Sequence, residues 1–339
     1  MKILIDAFGG DNAPIEIIAG TIEAIKERDG FIAVLVGKKE EIEKELLNYN
    51  YDKSRIEILN ANDVITCEEE PTVAVRRKPD SSICVAFKEL KENPEVKAFV
   101  SAGSTGAVLV GATLKLGRIQ GVNRPALCPV MPTVKGEKQV LLMDSGANAD
   151  CKPINLCQFA LMGAAYAECL GIENPKVALL SNGTEDEKGN ALNHEVFPIL
   201  KNMKSINFVG NVEARELISG EYDVIVSDGF SGNIALKSME GAILNVLKVI
   251  KEGIYSSTMG KIGGLFLKKT FKQIKDKLDY SKKGGAMFIG VNKTVIKAHG
   301  SSKRTSFKAC VLQAVDYSAF DIAEKIKEKL SAEEIRIGE

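Results

Sequence analysis

Along this chain, short apolar runs bounded by glycine and polar residues alternate with longer stretches whose apolar positions recur every three or four residues. The runs KILIDA (2–7), AVLVG (33–37), IEILNA (56–61), AFVSAG (98–103), QVLLMDSG (139–146), KVALLSN (176–182), INFVGNV (206–212) and VIVSD (224–228) have the length and composition of strands. Helical patterns fall between most of them. That alternation predicts βαβ units and hence an α/β fold of three α/β/α layers around a mainly parallel, doubly wound sheet. Two further runs, AMFIGV (286–291) and VIKAHG (295–300), are joined by a short link around Asn292 and Lys293 and predict an antiparallel hairpin in a mixed sheet. The expected organisation is a single catalytic α/β unit over 1–339, open to division into two lobes around a crevice, with 256–283 as a basic amphipathic helical protrusion.

Ligands of open α/β sheets sit beyond the carboxyl ends of the strands. Here five such ends are small and polar: DAFGGD (6–11), SAGSTG (101–106), DSGAN (144–148), NGTE (182–185) and DGFSGN (228–233). One glycine-rich turn is explained by the need to turn tightly. Five imply a shared crevice. Its candidate binding residues are Asp6, Gly9, Gly10, Asp11, Ser101, Gly103, Ser104, Thr105, Gly106, Asp144, Asn148, Asn182, Asp228 and His299. Residues 101–106 make the best anion site, because a strand, two glycines and two hydroxyls before a helix aim backbone N–H groups at a phosphate. The chain lacks G-x-x-x-x-G-K-[ST] there and lacks G-x-G-x-x-G, which argues against a nucleoside triphosphate loop and a dinucleotide fold.

Composition narrows the chemistry. Lysine plus arginine and aspartate plus glutamate are 45 each, so no global field attracts nucleic acid, and an anionic partner must meet a local patch. Seven scattered cysteines without C-x-x-C argue against a disulfide framework and suit a reducing cytoplasm. The opening MKILIDAFGGD places Asp6 where a signal peptide needs its apolar core, and no run is long enough to span a bilayer. Only His194 and His299 exist, without metal-ligand spacing, so neither a metal nor another cofactor is expected. His299 is open to a functional or a structural role; His194 reads as a solvated side chain. Lys188, in GTEDEKGN after a strand, suits an oxyanion or phosphate, or is one more solvated lysine. Asn233 suits the same oxyanion, or caps its helix.

The runs IDAFGGDNAP (5–14), SAGSTGA (101–107), DSGAN (144–148), NGTEDEKGN (182–190), FVGNVE (208–213), DGFSGN (228–233) and GGAMFIGVN to AHGSS (284–302) resemble, in order and spacing over essentially the whole chain, the PlsX-type phosphate acyltransferases. The resemblance implies transfer of a fatty acyl group from acyl carrier protein to inorganic phosphate, for phospholipid synthesis. It also implies a fold like that of phosphotransacetylases and the isocitrate and isopropylmalate dehydrogenases, catalytic roles for Lys188 and Asn233, and a homodimer. The family usually has asparagine where this chain has Ser104, which removes an amide from that loop. Rival readings are a short-chain phosphotransacetylase using coenzyme A thioesters and an NAD-dependent dehydrogenase of similar fold. Because phosphate is already an anion at neutral pH, the expected mechanism is direct attack on the thioester, with sequential kinetics and no acyl-cysteine.

Two surface segments complete the reading. Arg76, Arg77 and Lys78 concentrate positive charge that suits an acidic carrier protein. Residues 261–283 hold eight lysines against Asp276 and Asp279, a net of 8 − 2 = +6 in a neutral chain. Leu267, Phe271, Ile274 and Leu278 form one helical stripe there, and Ile262, Leu265 and Phe266 flank Gly263 and Gly264 as an apolar, mobile tip. This predicts contact with the inner face of the cell membrane, near a downstream membrane glycerol-phosphate acyltransferase; packing against a dimer mate is the alternative. The apolar pattern over 234–254 suits a self-complementary face.

Overall fold

A computed structural model describes residues 1–278, 284–333 and 335. Among them run twelve strands: β1 (Lys2–Asp6), β2 (Ile32–Gly37), β3 (Ile56–Asn60), β4 (Val96–Ser101), β5 (Ala126–Cys128), β6 (Val130–Pro132), β7 (Gln139–Met143), β8 (Lys176–Ser181), β9 (Asn207–Glu213), β10 (Val224–Val226), β11 (Ala286–Ile289) and β12 (Thr294–Lys297). They form two sheets, ordered β3-β2-β1-β4-β12-β11-β5 and β6-β7-β10-β8-β9. Pairing is parallel through β3-β2-β1-β4-β12 and through β7-β10-β8-β9. The predicted hairpin is present, since β11 runs antiparallel to β12, and the first sheet is mixed.

The strands missing from the sequence reading explain why there are two sheets. β5 pairs with β11 in the first sheet and β6 with β7 in the second, with Pro129 between them. Each is three residues long, too short to show alternation. One apolar cluster nevertheless runs through both sheets, from Ile3, Ile5 and Val100 to Leu141, Met143 and Val226. Helix Pro153–Cys169 packs on the second sheet against β7, β8 and β10. Residues 155–167 are all buried, as suits a helix apolar on every side, and Tyr166 meets Tyr317 edge-on at 5.7 Å.

Helix Gly229–Tyr255 starts at the second sheet and leaves the body of the fold. Its only buried residues are Gly229, Gly232 and Leu236, all in the first turns. Helix Thr258–Leu278 folds back along it, with Phe271 turned into the groove beside Leu247 and Tyr255. The expected mobile tip is not found. Gly263 and Gly264 are helical, and a side chain at Gly264 would come within 2.9 Å of Ile254, so the glycine is what lets the two helices touch. The predicted stripe is likewise divided: Phe271 faces the groove, while Ile262, Leu265, Phe266, Leu267 and Ile274 are exposed. Residues 279–283, which complete the basic segment, lie outside the described residues.

Candidate active site

The first half of the site is built where β1, β4 and β12 end side by side. Asp6 closes β1 fully buried, and its carboxylate accepts a 2.6 Å hydrogen bond from the Ser101 hydroxyl at the end of β4. Burial pushes the Asp6 carboxyl above its ordinary range, with the Ser101 hydroxyl the leading opposing influence. Ser101 Oγ also receives the Gly103 amide at 3.0 Å, which fixes the start of the 101–106 turn. Gly9 lies so close that a Cβ there would sit 2.6 Å from the Gly103 nitrogen, and at Gly10, with φ +95°, a Cβ would come to 2.9 Å of both Ala102 Cβ and the Gly300 carbonyl oxygen. The Asp11 amide donates to Gly300 O at 2.9 Å and the Asn12 side chain donates to Ser301 O and Ser302 O. Three segments far apart in sequence are thus laced into one rim.

The second half surrounds Asp144 at the end of β7. Its carboxylate accepts from the amides of Leu127, Gly146, Ala147 and Asn148 and from the Asn148 side chain, at 2.7 to 3.1 Å. Burial raises the Asp144 carboxyl despite those donors, led by the Ala147 and Leu127 amides. Asn148 spends its remaining amide hydrogen on Pro125 O, and Asp228 caps helix Gly229–Tyr255 by accepting from Ser231. Asp6, Asp144, Asn148 and Asp228 therefore shape the turns, and the chain itself takes up their polar atoms. The capping alternative for Asn233 is removed by the same fact, because Asp228 is the cap and Asn233 lies in the second turn.

This architecture depends on contact between the helix start and the Asp144 turn. A Cβ at Gly232 would come to 2.0 Å of the Asp144 carbonyl oxygen and 2.5 Å of Ser227 Oγ. Gly232→Ala is expected to destabilise the protein by about 1–3 kcal/mol through overpacking and to displace Asn233. Thermal unfolding of the variant, with a shift of less than a degree as the contrary result, checks it.

Between the halves lies a cavity of about 360 Å³ lined by Thr105, Ser145, Gly146, Asn233, Lys237, Lys297, His299 and Ser302 among others. The carboxyl ends of both sheets and the start of the 229–255 helix meet there. Thr105, Asn233 and His299 line this one cavity. His299 Nδ1 accepts from the Ser301 amide at 3.2 Å and lies 2.9 Å from Ser301 Oγ, and Nε2 lies 3.4 Å from Lys237 Nζ, an arrangement that suits a neutral ring. Partial desolvation, then the Lys237 ammonium, pushes its pKa below the usual histidine value. Lys237 and Lys297 were missed by sequence reading: one is a helix lysine, and the other interrupts an apolar strand run and was given no role within the 284–302 segment.

Lys188 is elsewhere. It is exposed on the loop after β8, its stem packed over Gly183, and Asn211 holds the loop by donating to Glu185 O at 2.7 Å. Gly189 and Asn190 of that loop, with Asn182, line a second, larger and mainly apolar cavity of about 810 Å³. Phe230, Ile234 and Met239 form its other wall. The two cavities flank the same helix start, with Asn233 facing one and Ile234 the other.

Arg76 and Arg77 are exposed at the end of helix Pro71–Arg77, whose first residue packs on Gly106 beside the crevice. Lys78 is not available to a partner in the same way: it donates to Val64 O and pairs with Glu69 and Asp63 at 2.9 and 3.5 Å. Cys151, nearest the matched motifs, donates to Asn148 O, and burial pushes its thiol up to about 11. Among the described residues no cluster of histidine, cysteine, aspartate and glutamate could hold a metal ion.

Residues 1–325 match a family model described as "Fatty acid synthesis protein". The chain is 46% identical over 331 residues to a phosphate acyltransferase of Clostridium tetani, covering 97% of this chain and 98% of that one. It is 46% identical over 337 residues to a phosphate acyltransferase of Bacillus cereus, covering 99% and 100%. Among solved structures it is similar in fold to a phosphotransacetylase from Streptococcus pyogenes, with TM-score 0.61, 17% identity and 94% of each chain covered. A 4-hydroxythreonine-4-phosphate dehydrogenase from Klebsiella pneumoniae follows with TM-score 0.55, 12% identity and coverage of 94% and 99%.

Proposed function

Since the chain belongs to the phosphate acyltransferase family, we propose that it takes a fatty acyl group from the thioester of acyl carrier protein and passes it to inorganic phosphate, supplying acyl phosphate for phospholipid synthesis. The observation that carries this reading is the pair of cavities on either side of one helix start, one with lysines, a histidine and hydroxyls in its wall, the other mainly apolar. An anion fits the first and an acyl chain the second. Their meeting point, at Asn233, is where a thioester carbonyl would lie.

The chemistry needs few groups. A phosphate oxygen attacks the thioester carbonyl carbon, a C–O bond forms, the C–S bond breaks, and the departing carrier thiolate takes up a proton. Holding both reactants in one cleft supplies much of the rate, and donors fixed toward the developing oxyanion supply more. In this scheme Asn233 donates its side-chain amide to that oxyanion, residues 101–106 seat the phosphate, and Lys188 stands on the acyl side as a charge. No cysteine need carry the acyl group, consistent with the raised Cys151 thiol.

The reading is tested with a panel of acyl carrier protein thioester, coenzyme A thioester and free fatty acid, each with and without phosphate. Phosphate-dependent release of carrier thiol with formation of acyl phosphate supports it. Faster turnover of the coenzyme A thioester would make the enzyme a phosphotransacetylase of the kind its fold resembles. Charge reversal at Arg76 and Arg77 is expected to raise KM for the carrier thioester several-fold, by about 1 kcal/mol or more, with little change for phosphate. Equal changes in both constants would remove those arginines from carrier docking.

The helical hairpin belongs to the same proposal. Leu244, Val246 and Val249 are exposed along helix Gly229–Tyr255 and suit the face of a homodimer, while Leu265 and Phe266 suit a lipid surface. An acyl phosphate is labile and lipophilic, and release at the inner face of the membrane places it before a membrane glycerol-phosphate acyltransferase.

A further inference from the structure

We propose that Lys297, which the sequence reading singled out for no role, is the side chain that holds inorganic phosphate in the crevice; this deepens the acyl-transfer reading and rests on it. Lys297 is the last residue of β12, in register with Ser101 on β4, at the point where the first sheet opens toward the second. It is only 8% exposed, yet it lines the crevice cavity with Thr105, Asn233 and His299. Its ammonium donates to the carbonyls of Ala102 and Ala298. An ammonium has three N–H donors, so these two carbonyls leave one for the crevice.

Charge argues in the same direction. Among the described residues no carboxylate pairs directly with Lys297; Asp6 and Asp11 act on it only from further away. A buried cation held by backbone carbonyls alone is costly, and an entering oxyanion would offset that cost with a charge-assisted hydrogen bond. If Lys297 were only a tie between residues 102 and 298, a neutral donor of similar length would serve. That difference is measurable.

The groups that face it are Asp6 on β1, Asp11 in the following turn, Cys67 after β3, Cys310 on helix Arg304–Tyr317, and His299. Burial pushes the ammonium down to about 8, opposed in turn by Cys67, Cys310, Asp6 and Asp11. The charged form is present below that pH and is lost above it. Capture of phosphate by the free enzyme therefore weakens as pH rises through about 8.

The test compares wild type, Lys297→Gln and Lys297→Arg in steady-state turnover from about pH 6.5 to about pH 10, varying phosphate and carrier thioester separately. A parallel measurement follows the thermal shift that inorganic phosphate gives each protein without acyl substrate. Lys297→Gln is expected to raise KM for phosphate roughly 10- to 100-fold, with KM for the carrier thioester nearly unchanged, and to lose the thermal shift. Lys297→Arg, whose cation does not titrate in this range, should retain capture and lose the decline near pH 8. An unchanged KM for phosphate in Lys297→Gln, a change confined to the carrier thioester, or a decline that persists in Lys297→Arg would each overturn the assignment. If Lys297→Arg does not fold, the thermal shift of Lys297→Gln decides alone. Absence of phosphate-dependent turnover in wild type would defeat the acyl-transfer reading instead, while the thermal shift would still report on Lys297.

Discussion

Asn233→Ala is expected to lower kcat by roughly 10²- to 10³-fold, about 2.7–4 kcal/mol of barrier, the usual effect of removing one oxyanion donor. The expectation rests on position. Asp228 already caps the helix, so Asn233 has no capping duty, and it projects into the crevice beside Gly146. Losing an exposed helix side chain costs little stability. The variant should therefore unfold like wild type and keep its KM for both substrates while turnover falls. Lys188→Ala is expected to lose turnover to a comparable degree. Because Gly189 and Asn190, next to Lys188 in the same loop, line the apolar cavity, its loss should also appear in KM for the acyl substrate. Near-wild-type turnover in Asn233→Ala would show that the oxyanion is held elsewhere, and the same result in Lys188→Ala would reduce that lysine to a solvated loop residue.

Binding to anionic liposomes should be all but lost when Leu265 and Phe266 are both changed to glutamate. These side chains are 68% and 83% exposed on the helical hairpin, with Lys261, Lys268, Lys269 and Lys272 exposed around them. Burying a leucine and a phenylalanine contributes about 1.5–3 kcal/mol each, so together about 3–6 kcal/mol, or roughly 10²- to 10⁴-fold in affinity. Each lysine near an anionic surface adds roughly 1 kcal/mol, and that part is screened by salt. Flotation should thus require anionic lipid, weaken as salt is raised, and vanish for the double variant. Turnover of soluble substrate should be spared, because neither residue lines a cavity that holds the reacting groups. Flotation unchanged by the two glutamates would assign this face to a second copy of the chain.

Much of the framework was legible because it depends on local order. Eight parallel-type runs, the 286–300 hairpin and the polar strand ends all follow from neighbours within a few residues, where apolar spacing and glycine placement act directly. The helical hairpin was partly legible for the same reason, since its lysine excess and apolar repeat are local properties. Its interior was not. Whether Phe271 meets lipid or Leu247, and whether Gly264 is a hinge or a contact, depends on where the neighbouring helix lies.

What the sequence by itself determined, then, is the α/β class, the family, and the set of turns from which a site is made. Each is encoded in short segments whose backbone needs are met locally. The tertiary structure alone decided how those turns are used. β5 and β6 carry the chain from one sheet to the other, and this brings Ser101, Asn233 and Lys297 to one place although they are separated by more than half the sequence. It also divided the polar residues into those consumed by the fold, such as Asp144 with its five donors, and those facing a cavity, such as Asn233. The physical reason is that hydrogen bonding and desolvation are settled by contacts made across the chain, and a side chain's type does not reveal which contacts it will keep.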